Sequence, residues 1–190
     1  MASSSGAVAI VACALALGAA GCRKTTVTNA DPGPLPAGKV AVLHTHGCEL
    51  RASVVPERAR FGMEIHPYLT FRVSTDCDRK LTLLVGEAGN ELGRPDSYSV
   101  SAVDSEGTSV QIRQLGGGEG SASSGHTDLS RDKPLVTRLV VRQWFTFERP
   151  GRYEVTVSKD LMIGERVDGG VIATEEWLPV KVSTFLDVDP

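Results

Sequence analysis

Apolar and polar side chains alternate with a period of two along most of the chain after residue 38, and this pattern limits the fold more than any other feature. The clearest runs have apolar residues at positions 69, 71 and 73, at 81, 83 and 85, and at 153, 155 and 157. A period of two places apolar side chains on one face of a β-strand and polar side chains on the other. No long segment shows the helical period. We therefore expect an all-β domain.

The alternation recurs in about nine short segments separated by Gly, Pro, Asp and Ser, which predicts a two-sheet sandwich. Asp104 to Gly107 is a predicted hairpin turn, and the Gly- and Ser-rich residues 116–126 are a predicted mobile surface loop. The predicted strands lie near residues 40–44, 50–55, 69–75, 80–86, 97–103, 108–114, 135–147, 152–158 and 178–185.

The stretch Glu148-Arg149-Pro150-Gly151-Arg152-Tyr153-Glu154-Val155 is a turn that leads a tyrosine into an alternating strand. It resembles the tyrosine corner of immunoglobulin-like domains, in which the hydroxyl bonds to a nearby backbone group. The resemblance implies that residues 39–190 form an immunoglobulin-like antiparallel β-sandwich of about 7–9 strands, with 135–147 as strand E, 152–158 as strand F and 178–185 as strand G. Val155 occupies the position of the second core cysteine of antibody domains, so the resemblance is to bacterial immunoglobulin-like domains in general.

The N-terminal residues 1–22 have the composition of an export signal. They carry no charged residue, and Gly6 to Gly21 form an apolar run that is short for a membrane span. The run ends in Leu17-Gly18-Ala19-Ala20-Gly21-Cys22, which resembles the lipobox of bacterial lipoproteins. The resemblance implies an exported lipoprotein with a palmitate-type lipid on Cys22, held on the periplasmic or cell-surface side of a membrane. Simple secretory cleavage and an uncleaved anchor remain the alternatives.

Residues 23–38 are polar and then rich in proline, and they are predicted to be a tether between this anchor and the domain. Pro32, Pro34 and Pro36 favour an extended chain of about 3 Å per residue. The tether would hold the domain tens of Å from the lipid surface.

Two of the four cysteines remain for the exported domain, and they are predicted to form a disulfide. Cys13 lies in the signal and Cys22 is the lipid site, which leaves Cys48 and Cys77. If the strands near 50–55 and 69–75 are antiparallel, opposed residue numbers sum to about 125, as those of the two cysteines do. Closing a loop of about 30 residues is expected to stabilise the fold by about 3 to 4 kcal/mol.

His44, His46 and Cys48 stand at alternate positions and would share one side of a continuous strand, with His66 or His126 as a further ligand for zinc or copper. Gly47 interrupts this strand, however, and Cys48 has a partner in Cys77. We therefore predict no metal or other cofactor and keep a periplasmic metal-binding protein as an alternative.

The sequence favours a binding protein over an enzyme. It has neither the Gly-x-Ser-x-Gly nucleophile elbow nor a Gly-Lys-Ser/Thr phosphate loop. An apolar fraction of 41% and a net charge of -3 exclude a polybasic nucleic-acid binder and a disordered acidic chain. We expect a non-catalytic envelope lipoprotein with a binding or structural module, and a protein partner that the sequence does not name.

The candidate partner-binding residues are Trp144, Met162 and Trp177. Trp144 is predicted to be either a core residue or an exposed anchor for a partner. The connection 159–177 contains the other two, and it is predicted to be either an extra hairpin packed on the sandwich or a binding edge. The alternative function from another class is an inhibitor or accessory subunit of an extracellular peptidase, using residues 116–126 and 159–177.

Overall fold

The computed structural model describes residues 38–86, 98–113, 124–166 and 172–190. These residues form β-strands and a single 3-10 turn, Val141–Gln143. The strands are β1 (Ala41–Thr45), β2 (Cys48–Pro56), β3 (Arg60–Gly62), β4 (Tyr68–Thr75), β5 (Leu81–Gly86), β6 (Tyr98–Asp104), β7 (Ser124–Leu129), β8 (Leu135–Val140), β9 (Gly151–Arg166) and β10 (Ile172–Asp189).

The strands form a four-stranded sheet and a six-stranded sheet that pack face to face. The four-stranded sheet has the order β1-β2-β4-β8, and the six-stranded sheet has the order β3-β10-β9-β5-β7, with β6 also paired to β9. β8, β9 and β10 correspond to the predicted strands E, F and G. As in an immunoglobulin-like domain, strand E (β8) lies in one sheet, while strands F and G (β9 and β10) pair in the other. The domain is an immunoglobulin-like β-sandwich, as predicted.

The core lies between the two sheets and follows the period of two. On β9 the inward residues are Tyr153, Val155, Val157, Lys159, Leu161 and Ile163, and all of them are buried. Leu50, Phe71 and Leu139 face them from the four-stranded sheet and are at most 1% exposed. Full burial of an aliphatic or aromatic side chain contributes about 1.5 to 3 kcal/mol, so this layer supplies the main stabilisation.

The predicted disulfide between Cys48 and Cys77 is confirmed. β2 and β4 pair antiparallel in the predicted register, with Leu50 opposite Thr75 and Arg51 opposite Ser74. The two cysteines lie just beyond this ladder, with their Cα atoms 5.3 Å apart and their sulfurs bonded. The bond closes a loop across 29 positions of sequence.

The tyrosine corner is also present. The Tyr153 hydroxyl donates a hydrogen bond of 2.7 Å to the backbone oxygen of Arg149, and its ring lies 4.4 Å from that of Phe147. Burial raises the pKa of Tyr153, which favours the protonated hydroxyl that this bond needs. The bond fixes the turn that leads into β9.

Several strand predictions are wrong in detail. Residues 108–113 of the predicted strand 108–114 do not form a strand, because their ladder pairing is limited to an isolated bridge between Val103 and Ser109. Residue 114 lies outside the described residues. The predicted strand 135–147 ends at Val140, where the 3-10 turn begins. The structure adds the short β3, which pairs parallel with β10, so the described residues contain more strands than the expected 7–9 and the sandwich is not wholly antiparallel.

Two segments predicted as loops belong to strands. Residues 124–126 of the predicted loop 116–126 start β7, which pairs with β5. The connection 159–177 consists largely of the continuing strands β9 and β10. The extra hairpin, one of the two alternatives for this segment, is therefore not a separate element, because these residues extend the β9–β10 pairing. The predicted signal peptide 1–22, its lipid site Cys22 and the tether up to residue 37 lie outside the described residues.

Replacing both Cys48 and Cys77 with alanine should lower the free energy of unfolding by about 3 kcal/mol, because the unfolded chain regains the entropy of the open loop. Urea unfolding of the oxidised and mutant proteins measures this difference. Reduced wild-type protein serves as the control and should match the double variant. Equal stability of all three would contradict the assigned role of the bond.

Replacing Tyr153 with phenylalanine should cost about 1 kcal/mol, because it removes the hydroxyl and leaves the Arg149 carbonyl without its donor. Tyr68→Phe is the matched control, since Tyr68 lies on the outer face of β4 and packs its ring against Arg138. Thermal unfolding should show a lower midpoint for Tyr153→Phe alone. A loss of similar size in both variants would argue against the corner.

Candidate functional site

The outer face of the long β9–β10 hairpin carries the most exposed aromatic side chain among the described residues. Trp177 is 63% exposed. On β10 the even-numbered residues from Leu178 to Val188 point inward, so the odd-numbered Trp177 points outward. Met162 is its direct partner on β9 and is partly buried, while Pro179 follows on the same face. Together Trp177, Met162 and Pro179 form a surface that we call the tryptophan patch.

The tryptophan patch lies on a well-supported part of the hairpin. β9 and β10 pair along nearly their whole length, with one irregularity between Ala173 and Glu176. The Thr45 hydroxyl donates a hydrogen bond to a carboxylate oxygen of Glu176, the residue before Trp177. This bond links the hairpin to β1 of the other sheet, so Trp177 is held on a supported strand.

Trp144, the other tryptophan, is a core residue and not a surface anchor. It is 2% exposed, and the adjacent Phe145 and nearby Phe147 are buried as well. Alternation would place Trp144 on the opposite face from the two phenylalanines, but the 3-10 turn before it ends the strand period. The interpretation of Trp144 as a partner-binding residue is therefore wrong, whereas Met162 and Trp177 share one surface.

The histidines proposed as metal ligands do not share a strand face. His46 and Gly47 form the tight turn between β1 and β2, with φ angles of 49° and 71°, and Thr45 pairs directly with Cys48. His44 is exposed on the outer face of β1, and Cys48 forms a disulfide bond with Cys77. Within the described ranges, the chain has no group of three or more His, Cys, Asp or Glu side chains placed to hold a metal ion.

Sequence reasoning missed a buried lysine inside the sandwich. Lys159 occupies an inward position of β9 and is 4% exposed, with its ammonium 4.1 Å from the centre of the Tyr98 ring. The Tyr98 hydroxyl donates a hydrogen bond of 2.8 Å to Thr137 on β8. Tyr98 thus joins the two sheets and supports Lys159. The sequence does show this lysine at an odd-numbered position between residues 153 and 163, where the other odd-numbered residues are apolar and point into the core.

Burial shifts the pKa values of both residues in this pair. It lowers the pKa of Lys159 to about 8, against a smaller opposing effect of Asp160, because the charged amine is poorly solvated. Burial also raises the pKa of Tyr98 to about 12, against the smaller effect of its bond to Thr137. Both shifts favour the neutral form of the side chain inside the sandwich.

A shallow polar cleft of about 260 Å³ lies beside the tyrosine corner. Its lining combines three carboxylates, those of Asp104, Glu106 and Glu148, with the guanidinium group of Arg149 and several neutral residues that include Tyr153. One oxygen of Asp104 accepts bonds from the backbone amides of Glu106 and Thr108. These bonds belong to the predicted turn 104–107, so turn structure accounts for Asp104.

Comparisons with known proteins add no family. No protein-family model matches the chain, and no curated protein matches it either. A chain in the crystal structure of the complex between Zinc 2-glycoprotein and Prolactin inducible protein from human seminal plasma is similar, with 10% identity and a TM-score of 0.33. The match covers 84% of this chain and 100% of that one. So distant a likeness adds nothing to the topology described above.

Among the described residues, no helix has the length and apolar character needed to cross a membrane.

The stability of the domain should rise between pH 8 and pH 10 and fall above pH 10. Lys159 has a lower pKa in the folded state than its ordinary 10.5, so the unfolded chain binds more protons in the first interval. Tyr98 has a higher pKa in the folded state than its ordinary 10.0, so the folded protein binds more protons in the second. Urea unfolding across this pH range measures the effect.

Lys159→Met is the test variant for this prediction. It should remove the rise between pH 8 and pH 10, which we expect to be on the order of 2 kcal/mol, and leave the fall above pH 10. Lys181→Met is the control, since Lys181 lies exposed on the neighbouring strand. The same pH profile in wild type and Lys159→Met would contradict the assignment.

Proposed function

We propose that this protein is a non-catalytic envelope lipoprotein, held by a lipid on Cys22, whose immunoglobulin-like domain binds a protein partner through the tryptophan patch. The observation that carries the proposal is the 63% exposure of Trp177 on a paired strand. Tryptophan is among the residues that contribute most to protein interfaces, because a large rigid ring loses little entropy when it is buried.

Two features of the hairpin support a binding role. Trp177 and Met162 are directly paired, so they offer one continuous apolar contact. Polar and charged residues, among them Asp160 and Lys181, lie on the same outer face beside them. A central apolar contact with a polar rim is the usual composition of a protein interface.

The N-terminal sequence supports tethering. The apolar run and its small residues before Cys22 resemble a lipoprotein signal, and the proline-rich residues after it would separate the domain from the lipid. Mass spectrometry of the mature N-terminus tests this part. A diacylglycerol-modified and acylated Cys22 is the expected result, and an unmodified Cys22 would contradict the anchor without affecting the patch.

Trp177→Ala should abolish the capture of the partner while leaving the fold intact. We expect crosslinking in native membranes to give a discrete adduct with the wild-type protein and at least a tenfold lower yield with Trp177→Ala, because an interface tryptophan commonly contributes 2 kcal/mol or more. Ile65→Ala is the matched control, since Ile65 is also exposed, at 50%, but lies near β3. An equal yield of the crosslinked adduct from Trp177→Ala and from wild type would contradict the proposal.

A further inference from the structure

The outer face of the four-stranded sheet carries a row of three arginines that the proposed function does not use. Arg51 on β2, Arg72 on β4 and Arg138 on β8 are all exposed. Arg51 pairs with Ser74, and Arg72 pairs with Val136. Each arginine is therefore displaced by two residues from the next, the diagonal position at which neighbouring side chains lie about 7 to 8 Å apart. One line of positive charge crosses the sheet.

Carboxylates neutralise the two ends of this row. The Arg51 Nε lies 2.6 Å from a carboxylate oxygen of Glu49. The Arg138 Nε lies 2.6 Å from Glu57, and its hydrogen bond lowers the pKa of that carboxyl. For the central Arg72, the described residues supply no ion-pair partner. An external anion would therefore gain most at Arg72.

Ion pairs also form at residues of the six-stranded sheet. The Lys39 Nζ lies 2.9 Å from the Glu154 Oε1, and the Arg152 Nε lies 4.0 Å from the Asp187 Oδ1. These two cations each have a carboxylate partner, as Arg51 and Arg138 do. What distinguishes the face of the four-stranded sheet is Arg72, which has no ion-pair partner among the described residues.

Exposed valines flank the arginine row. Val42 pairs with Arg51 and is 51% exposed, and Val136 pairs with Arg72 and is 53% exposed. A free anion would use the guanidinium groups alone. A phospholipid surface offers phosphates to the arginines and, next to them, a less polar layer to the valines. The valines therefore favour a lipid surface over a soluble anion.

The chain enters the domain where β2 of one sheet and β10 of the other come close together. Gly38 and Lys39 lie just before β1, which begins at Ala41 and is an edge strand of the four-stranded sheet. The Lys39 amide donates a bond of 2.8 Å to Ser183, and a Cβ on Gly38 would lie only 2.4 Å from the Val54 carbonyl oxygen. The entry point is thus fixed between the two sheets.

In sequence, residues 23–37 separate this entry point from Cys22. An extended chain of that length, at about 3 Å per residue, would reach about 45 Å. This step rests on the proposed lipid on Cys22. A domain held within that distance experiences an effective concentration in the millimolar range, so even weak attraction to the surface suffices.

From this arrangement we infer that the outer face of the four-stranded sheet lies on anionic phospholipid, with Arg72 and its two arginine neighbours at the phosphates. The tryptophan patch belongs to the other sheet and then faces away from the lipid. The arginine face orients the domain so that Trp177 is open to a partner.

The test uses the full chain with Cys13→Ser and Cys22→Ser and with one new cysteine carrying an environment-sensitive fluorophore. Val136→Cys places the label on the arginine face, and Ser99→Cys places it on the outer face of β6. With phosphatidylglycerol vesicles the label at 136 should shift to shorter wavelength and be shielded from iodide, while the label at 99 should not. Pure phosphatidylcholine vesicles should give no shift, because they carry no net charge. Salt at about 0.5 M should also remove the shift, because it screens the attraction between the arginines and the lipid phosphates more strongly than physiological salt does.

Arg72→Gln should weaken the response at position 136 about fivefold, the effect of one basic residue near an anionic surface. Arg72→Lys should retain most of it. Arg152→Gln, an arginine on the opposite face, is the matched control and should leave the response unchanged. Equal responses from the two labels, or equal losses in Arg72→Gln and Arg152→Gln, would overturn the inference. So would loss of the response on adding glycerol phosphate at constant ionic strength, since that would indicate a site for a soluble anion.

This experiment lacks the lipid on Cys22, and vesicles at a millimolar lipid concentration stand in for the effective concentration that the tether would give. Its outcome is therefore separate from that of the proposed function. A response at position 136 with an unmodified mature Cys22 would keep the arginine face and reject the anchor. A lipidated Cys22 without a response at position 136 would keep the anchor and reject the arginine face.

Discussion

The pairing of β9 with β10 is the interaction on which the six-stranded sheet depends. β9 spans Gly151–Arg166 and pairs with β10 on one side and with both β6 and β5 on the other. Its parity places Val155 and Val157 in the core and Met162 outside. The same register places Trp177 opposite Met162, so the burial of the core and the exposure of the tryptophan patch follow from a single alignment of two strands.

The two outer faces of the sandwich are suited to different contacts. One face presents the diagonal of arginines with valines beside it, and the other presents Trp177 and Met162 among polar residues. The chain enters at Gly38, between the two sheets. Under the proposed function, a domain tethered to a membrane would contact the lipid surface with one sheet and a protein partner with the other.

Local patterns in the sequence were sufficient for the fold, the disulfide and the tyrosine corner, because each depends on strand period, register or a short turn. Long-range pairing accounts for most errors. Val110 and Ile112 alternate as in a strand, but only Ser109 in that segment forms a bridge, and Ile112 is exposed. β3 is three residues long and pairs with the distant end of β10. The predicted strand 152–158 stopped before Lys159 because a lysine stands there at an inward position, whereas β9 continues to Arg166.

The candidate site was predicted only in part for the same reason. Met162 and Trp177 were found because apolar residues in a supposed loop are unusual, but their pairing required the register of the complete hairpin. The parity of Trp144 could not be read across a 3-10 turn that interrupts the strand. The arginine row has no sequence signal, since Arg51, Arg72 and Arg138 come together only when β2, β4 and β8 are aligned.

The most direct test of the account is the accessibility of its two tryptophans to a collisional quencher. Single-tryptophan proteins are made by Trp144→Phe and Trp177→Phe, since the chain has only these two. In the purified protein, acrylamide should quench Trp177 efficiently and Trp144 poorly, and native envelope membranes should then protect Trp177. If Trp177 is as protected as Trp144 in the purified protein, or stays fully accessible in the membranes, the tryptophan patch is not a binding surface.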